Sequence, residues 1–240
     1  MLRDGTTMKI AIISDIHSNL PALQRALEEI DTLGVNEILC LGDVVGYGAN
    51  PNECISLVQK RCAGILQGNH DAAAVDLSVA SFFTTHARVA AEWTHRHLSR
   101  EGTAFLKELP LTTERNGLFF VHASPLEPSE WNYVLDIGEV RRALEAFPGE
   151  VCFIGHSHIP GVFSYRGAEE EVRRGERYII NVGSVGQPRD GDPRLSFGIF
   201  DIAEWRYDNY RVEYDVEQAR KNILEVGLPR ILGDRLRSGL

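Results

Sequence analysis

Five short segments of this sequence carry side chains that commonly bind metal ions or transfer protons. They contain aspartate, asparagine and histidine, and each follows directly on a run of residues that predicts a β-strand. The segments are Asp15-Ile16-His17, Gly42-Asp43, Gly68-Asn69-His70-Asp71, His122 and Gly155-His156-Ser157-His158. In open α/β sheets, ligands bind beyond the carboxyl ends of the strands. Five such strand ends therefore predict one convergent polar site with donors suited to divalent metal ions.

Taken singly, each segment also has a structural interpretation. An Asp-x-His segment or a Gly-Asp pair can form a turn and a helix cap, and asparagine after glycine is a good turn residue. A single histidine at a strand end is more often structural. The strongest single indication is Gly-His-Ser-His, because His156 and His158 project to the same side of an extended segment. The presence of all five segments in one chain, each at a strand end, favours a metal centre.

The elements that must position these residues alternate in the first third of the chain. Helix 20–33 is indicated by Leu23, Leu27 and Ile30 at helical spacing, with Pro21 in its first turn. Alternation of strand and helix implies a parallel, buried sheet covered by helices. The predicted elements are strands 9–14, 37–41 and 63–67 and helices 20–33 and 51–61.

The rest of the chain predicts a helical segment and a second sheet. Residues 72–117 carry alanine and aromatic residues at helical intervals, which indicates a helical insertion over one end of the first sheet. The later elements are strands 118–122, 151–154, 162–165, 178–182, 195–201 and 207–214 and helices 138–147 and 216–226. We therefore expect an α/β fold of two face-to-face mixed β-sheets flanked by helices. Residues 8–240 are predicted to form a single domain, with residues 1–7 as a loose N-terminal extension.

Composition and charge exclude several classes of protein. Hydrophobic residues make up 43% of the sequence, as in ordinary globular proteins, and no apolar run approaches the roughly 20 residues that span a bilayer. Residues 1–7 lack the apolar stretch of a secretory signal. The formal net charge of −9 argues against a chain that coats nucleic acid, because such binding uses lysine and arginine. An acidic protein that binds phosphate needs locally concentrated positive charge, and metal ions are a natural source.

The four cysteines indicate a reducing environment. Cys40, Cys54, Cys62 and Cys152 form no Cys-x-x-Cys pair and lie in apolar surroundings. We interpret them as reduced and buried, with a disulfide or a zinc site as the alternative. Unpaired cysteines are typical of cytoplasmic proteins, so we expect a cytoplasmic location.

The ordered series Asp-x-His, Gly-Asp, Gly-Asn-His-Asp, His and Gly-His-x-His resembles the calcineurin-like metallophosphoesterase family over residues 8–201. Within it, the chain is most similar to the small bacterial phosphodiesterase branch, whose closing segment resembles residues 181–189, Asn-Val-Gly-Ser-Val-Gly-Gln-Pro-Arg. The resemblance implies a four-layer sandwich and two divalent metal ions. Its ligand sets would be Asp15, His17, Asp43 and His158 for one metal, and Asp43, Asn69, His122 and His156 for the other.

The resemblance also implies a reaction, the hydrolysis of a phosphodiester or related phosphate ester by attack of a metal-bridging hydroxide. Mixed imidazole and carboxylate ligands suit Mn, Fe, Zn or Ni, with Mg as a further candidate. We assign His70 as the general acid that protonates the leaving oxygen, and Asp71 as the residue that orients its imidazole and keeps it protonated.

Three further residues are candidates for binding the substrate. Arg189 is one because guanidinium groups match phosphate geometry, although a surface arginine would look the same in the sequence. Asn19 and Tyr47 lie near the predicted ligand loops and could line the pocket or form turns. The expected substrate is a small phosphorylated molecule such as a nucleotide. A homo-oligomer is left open.

Two alternative functions remain at this stage. Segment 72–117, together with Gln-Pro-Arg-Asp at 187–190, is reminiscent of dinucleoside polyphosphate hydrolases of the family. The family's fold also serves as a non-catalytic interaction scaffold, in which metal-site residues are partly replaced. Every ligand position is filled in this chain, which favours an enzyme.

Overall fold

Two β-sheets form the centre of the protein in the computed structural model, which describes residues 8–240. The predicted N-terminal extension at 1–7 lies outside the described residues. The strands in this part of the chain are β1 (Lys9–Ile13), β2 (Glu37–Cys40), β3 (Gly64–Ile65), β4 (Thr112–Arg115), β5 (Leu118–Val121), β6 (Val151–Ile154), β7 (Gly161–Ser164), β8 (Gly167–Glu169), β9 (Tyr178–Asn181), β10 (Leu195–Asp201) and β11 (Arg206–Val212).

Helices connect and cover the strands. The α-helices are α1 (Leu20–Thr32), α2 (Pro51–Arg61), α3 (Asn69–Val75), α4 (Thr85–His97), α5 (Arg100–Lys107), α6 (Ile137–Leu144), α7 (Val216–Glu225) and α8 (Arg230–Asp234). Short 3-10 helices lie at Val79–Phe82, Pro128–Glu130 and Arg235–Arg237. None of the helices between residues 8 and 240 is long and apolar enough to cross a membrane.

The first sheet has the strand order β11-β10-β1-β2-β3, and the second has the order β4-β5-β6-β9-β7-β8. Strands β1, β2 and β3 run parallel, as do β5, β6 and β9. The parallel strands of each sheet therefore deliver the residues that follow them to one edge. The short loops at these edges carry the predicted ligands.

Strand β1 shows why the chain forms layers. All its residues are apolar after Lys9, and both of its faces are buried. Ile10 and Ile12 pack between the two sheets with Phe153 of β6, whereas Ala11 and Ile13 pack against α1 and α2. A strand buried on both faces reads as a continuous apolar run, which is the pattern seen in the sequence.

Helix α6 covers the outer face of the second sheet, where Val140 and Leu144 pack against Phe119 and Cys152. The layers are thus helix, sheet, sheet and helix. The predicted fold class, two face-to-face mixed sheets flanked by helices, is confirmed.

The segment 72–117 differs in part from the prediction. Helices α3, α4 and α5 occupy most of it, but its last part is strand β4, which pairs with β5 in an antiparallel hairpin. Asn116 and Gly117 form the turn, with φ of 54° and 78°. Asn-Gly is the sequence most favoured in such two-residue hairpins, so a signal for β4 was present in the sequence. Its description as an insertion stays a prediction.

Three of the four cysteines are buried, as predicted, and Cys62 is half-buried. All four are free thiols. Burial raises the pKa of the Cys54 thiol and brings the pKa of Cys62 to about 12. Thiols held protonated in this way are poor nucleophiles and poor metal ligands.

The packing between the sheets gives a first testable prediction. Phe153 is fully buried and its ring lies 5.3 Å from the ring of Phe120 and 5.6 Å from that of Phe200. We expect Phe153→Ala to lower the free energy of unfolding by about 3–5 kcal/mol, because it leaves a cavity. Urea denaturation measures this, with Phe82→Ala as the control, since Phe82 is 95% exposed. Equal effects of the two substitutions would contradict the layered core.

Candidate metal centre

The loops that follow the parallel strands meet at one edge of the two sheets. Asp15 follows β1, Asp43 follows β2, and His122 follows β5. The backbone N–H of Asp15 donates to the carbonyl of Gly42 (3.0 Å), and that of Gly155 donates to the carbonyl of His122 (2.9 Å). The seven predicted ligands are all buried, with 8% exposure or less: Asp15, His17, Asp43, Asn69, His122, His156 and His158.

Glycines in these loops permit a very close approach. A Cβ atom on Gly68 would collide with the carboxylate of Asp43, and one on Gly155 would collide with Ser14 and the carboxylate of Asp15. Glycine is therefore required at both positions of the motifs, since no other residue lacks a Cβ atom.

Five of the seven predicted ligands have a left-handed backbone. Non-glycine residues adopt positive φ only at an energetic cost, and such strain concentrates at functional sites. The ligands are Asp15, His17, Asp43, His156 and His158, with φ between 50° and 64°.

The first group of donors contains Asp15, His17, Asp43 and His158. One ligand atom from each lies within 4.8 Å of every other. The Nε2 atoms of His17 and His158 are 3.1 Å apart, and the Nε2 of His158 lies 3.2 Å from Oδ1 of Asp15. This group can hold one metal ion.

The second group contains Asp43, His122 and His156, whose ligand atoms also lie within 4.8 Å of one another. The Nε2 of His122 lies 3.4 Å from Oδ2 of Asp43 and 3.2 Å from Oδ1 of Asn69. Asn69 thereby joins this group. Asp43 belongs to both groups, which places the two of them side by side.

The main chain fixes the orientation of three of these histidines. The Nδ1–H groups donate to carbonyl oxygens: His17 to Val45 (3.2 Å), His122 to Leu41 (3.2 Å) and His158 to Gln187 (2.6 Å). A carbonyl only accepts, so the proton sits on Nδ1 and the Nε2 lone pair of a neutral ring faces the centre. Hydrogen bonds of this kind orient metal-ligating histidines.

This arrangement fits a metal ion. The lone pairs of His17 and His158 face each other at 3.1 Å, which is repulsive unless a cation lies between them. Oδ1 of Asp15 and Nε2 of His156 are buried without a hydrogen-bond partner. Buried polar atoms are rarely left unpaired, and a bound cation would satisfy both. The observed donors therefore suit the divalent ions implied by the motifs.

The protonation states also suit a metal. Burial would raise the pKa of Asp43, but neighbouring histidines, His122 foremost, hold it well below its usual range. Burial lowers the pKa of His17 well below its usual value and that of His156 to about 3. The carboxylate is thus ionised and these rings are neutral near pH 7, as metal ligands must be.

His122 differs from the other ligands. Burial lowers its pKa, but the charge of Asp43, a hydrogen bond to it and the charge of Asp15 outweigh burial and raise the pKa to about 9. At neutral pH its ring therefore carries a proton that a cation has to displace.

His70 lies beside Asp43, which both groups share, and its backbone N–H donates to Oδ1 of Asp43 (2.8 Å). Its ring packs among the rings of Tyr47 (4.4 Å between centroids), Phe83 (4.6 Å) and His17 (4.9 Å). Burial lowers the pKa of His70 to about 4.

Asp71 does not orient His70, contrary to the sequence-based hypothesis. Its carboxylate oxygens accept from the backbone N–H groups of Val45 (3.1 Å) and Gly68 (3.0 Å). It fastens the loop after β2 to the start of α3. An acidic residue three positions after Gly68 is the usual signal for such a cap, and this alternative was available from the sequence.

A cleft of about 860 Å³ opens beside the two donor groups. Of the residues predicted to bind substrate, Arg189 and Tyr47 line it. Asn19 lies outside it, because its amide donates to the carbonyl of Gly186 (2.8 Å) and its Oδ1 accepts from the N–H of Ala22 (3.2 Å). Asn19 caps α1, so its prediction as a substrate-binding residue was wrong.

The cleft also contains residues that the sequence analysis missed. An aromatic wall faces the ligand edge, and a second arginine comes from the 3-10 helix near the C-terminal end of the sequence. These residues are Phe82, Phe83, Trp131, Tyr133 and Arg235. The ring of Tyr133 stacks on that of His156, with centroids 4.0 Å apart. None of them lies near a ligand motif, so no local signal identified them.

Comparison with known proteins agrees with this geometry. Residues 8–204 match the calcineurin-like phosphoesterase superfamily domain. An uncharacterized protein of Methanocaldococcus jannaschii is 40% identical over 240 residues, covering 95% of this chain and 96% of that protein. The phosphodiesterase YfcE of Escherichia coli is 27% identical over 205 residues, which cover 81% of this chain and 88% of YfcE.

Among solved structures, a metallophosphoesterase from Sphaerobacter thermophilus superimposes with a TM-score of 0.85 at 37% identity, covering 98% of this chain and 100% of that one. The family predicted from the motifs is therefore confirmed. The chain belongs to the calcineurin-like phosphoesterase superfamily.

Proposed function

We propose that this protein is a phosphoesterase that uses two divalent cations to hydrolyse phosphodiesters or related phosphate esters. The observation that carries the proposal is the pair of buried donor groups that share Asp43. Family membership and the likeness to YfcE support the reaction class. The assignment of one metal to each group is part of the proposal.

The donor types limit the choice of cation. Histidine nitrogen and carboxylate oxygen together favour Mn, Fe, Zn or Ni over Ca, with Mg as a weaker candidate. Two such ions, when bound, polarise the phosphoryl oxygens and make a nucleophile available from water at neutral pH. Asp15 and Asp43 return only two negative charges to four positive ones, so the loaded site keeps a net positive charge. That charge attracts an anionic substrate on a protein whose net charge is −9.

We assign to His70 the transfer of a proton to the leaving oxygen. In the free protein its pKa of about 4 keeps the ring neutral at pH 7, chiefly because the ring is buried. An anionic phosphate beside the ring favours the protonated form. The substrate thus helps His70 to acquire the proton that it donates. Asp71 does not supply this help, because its carboxylate bonds the main chain of Val45 and Gly68 and the Nδ1 of His70 has no hydrogen-bond partner.

A second candidate function is cleavage of a dinucleoside polyphosphate by the same centre. The aromatic wall of the cleft favours it, since Phe82 is 95% exposed and Tyr133 is 45% exposed beside His156. Planar bases stack on such rings. Turnover of bis(p-nitrophenyl) phosphate, 2′,3′-cyclic nucleotides and diadenosine tetraphosphate with added Mn²⁺ separates the two functions. The cytoplasmic location and the oligomeric state stay predictions.

Loss of the shared carboxylate tests the metal assignment. We expect Asp43→Asn to bind fewer than one metal ion per chain where the wild type binds two, because both groups lose a charged ligand. Activity should fall more than about 100-fold, the upper range for loss of a residue that only supports a ligand. Elemental analysis of Mn-loaded, desalted protein gives the metal count. Asp76→Asn, which changes an exposed aspartate at the end of α3, is the control, and two metals in Asp43→Asn would refute the assignment.

Removal of the proposed acid gives a different signature. We expect His70→Ala to retain its metal ions and to lower kcat by roughly 10²–10⁴. The loss should be smallest for aryl esters, whose leaving groups need no proton. Steady-state kinetics with p-nitrophenyl and alkyl esters measure it, with the exposed His95 as the control site. An equal loss for all leaving groups would show that His70 acts only by packing.

The buried histidines make the stability of the metal-free protein depend on pH. Below pH 6.5 His70 and His156 become protonated in the unfolded chain. In the folded protein these two histidines stay neutral, because their pKa values are about 4 and 3. Stability therefore falls as the pH drops. Asp71, with a pKa of about 7, offsets part of this loss. Above pH 6.5 the unfolded chain releases a proton that folded His122, with a pKa of about 9, still holds, so stability falls as the pH rises towards 9.

We therefore expect maximal stability of the metal-free protein near pH 6.5, with a decrease of at least about 1 kcal/mol per pH unit on each side. Urea denaturation of chelator-treated protein at pH 5, 6.5 and 8 measures it. His122→Gln should flatten only the alkaline side. A stability that rises steadily from pH 6.5 to 8 would contradict the proposed state of His122.

A further inference from the structure

Two arginines line the cleft, Arg189 and Arg235. The guanidinium carbons of Arg189 and Arg235 lie 5.7 Å and 5.4 Å from the centre of the Tyr47 ring. Within residues 8–240, no aspartate or glutamate side chain forms an ion pair with either of them. Nearby arginines are paired, as Arg211 is with Asp190.

Few protein groups satisfy these two guanidinium groups. Arg189 donates through Nη2 to the side-chain oxygen of Gln187 (3.0 Å) and to the hydroxyl of Tyr47 (3.3 Å), and its Nε is buried without a partner. Arg235 donates through Nε to the main-chain oxygen of Leu240 (2.6 Å). Several N–H donors of the two forks therefore remain available to a ligand.

The two charges also repel each other. Burial, followed by the charge of Arg189, lowers the pKa of Arg235 to about 10. Arg235 still carries its charge at neutral pH. Half-buried like charges in one cleft are unfavourable unless an anion lies between or beside them.

The arginine pair lies next to the metal centre. The ring of Tyr47 lies between the arginine pair and the centre. Its centroid is 4.7 Å from that of the His17 ring and 4.4 Å from that of the His70 ring. The backbone N–H of Arg189 donates to the carbonyl of His158 (3.3 Å). A single substrate can therefore reach both places in one cleft.

We infer that Arg189 and Arg235 bind a second phosphoryl group of the substrate, one that is not itself hydrolysed. This inference rests on the proposed function, because it concerns the substrate of the same site. Arginine forks match the oxygens of a phosphate through paired N–H donors. The substrate class is thereby narrowed to phosphate esters or anhydrides with at least two phosphoryl groups. Arg235, the first residue of the 3-10 helix Arg235–Arg237, becomes part of the substrate site.

Binding of two ligands that resist hydrolysis tests the inference. Methylphosphonate carries one phosphoryl group and methylenediphosphonate carries two. Calorimetric titration of the metal-loaded, full-length protein in a fixed excess of Mn²⁺ gives both affinities. We expect the wild type to prefer the diphosphonate at least about 10-fold, since a charge-assisted pair of hydrogen bonds contributes this much or more.

Substitution of either arginine should abolish that preference. We expect Arg235→Gln and Arg189→Gln each to bring the two affinities within about 2-fold. Arg237→Gln is the matched control, because Arg237 lies on the same 3-10 helix, is half exposed and pairs with Glu217; it should keep the full preference. A wild type without preference, or a preference unchanged in both cleft variants, would overturn the inference. Failure of the proposed function is a separate result, namely no turnover of bis(p-nitrophenyl) phosphate by the Mn-loaded wild type.

Discussion

The arrangement of this protein depends on the convergence of buried metal-binding side chains. At the edge of the two sheets, nitrogen and oxygen atoms of His17, His158 and Asp15 point at one another with no proton to share between them. Such contacts are unfavourable in the absence of a cation. The rest of the fold holds the donors in place. Both sheets, buried between helices, supply the rigidity that it requires.

Strain in the loops is part of the same balance. A left-handed backbone at Asp15, Asp43 and His156 costs free energy that only a well-packed surrounding structure can offset. Gly68 and Gly155 let neighbouring loops touch the carboxylates. A cation that binds here gains ligands already in position. Little of the free energy of cation binding is therefore needed to order the chain.

Much of this could be predicted from the sequence, because its signals were local. Buried strands such as β1 read as apolar runs, and the ligand motifs follow these strands within a few residues. The errors arose where the same residue type could either cap a helix or take part in the site. Asn19 was assigned to the substrate pocket and Asp71 to the orientation of His70, yet they cap α1 and α3. Strand β4 was overlooked although its Asn-Gly turn was visible.

Other features could not be predicted, since they arise from distant parts of the chain. Arg235 reaches the ring of Tyr47 only because α7 and α8 pack against the loop after β2. The aromatic wall is assembled from two separate segments, one before α4 and one before α6. Such contacts between distant segments cannot be identified in a single sequence. The metal ligands could therefore be predicted from local motifs, whereas the walls of the substrate cleft could not.

The hydrogen bonds from the histidine Nδ1 atoms link the loops of the centre. His17, in the loop after β1, is held by Val45 in the loop after β2, and His158 is held by Gln187 in the segment before β10. The loops that carry His17 and His158 thus each depend on another loop for the angle of the ring. An insertion or a backbone shift in one loop would therefore misdirect a ligand carried by another. A change in one ligand loop therefore requires matching changes in the others. Differences in substrate preference have to arise from the residues that line the cleft.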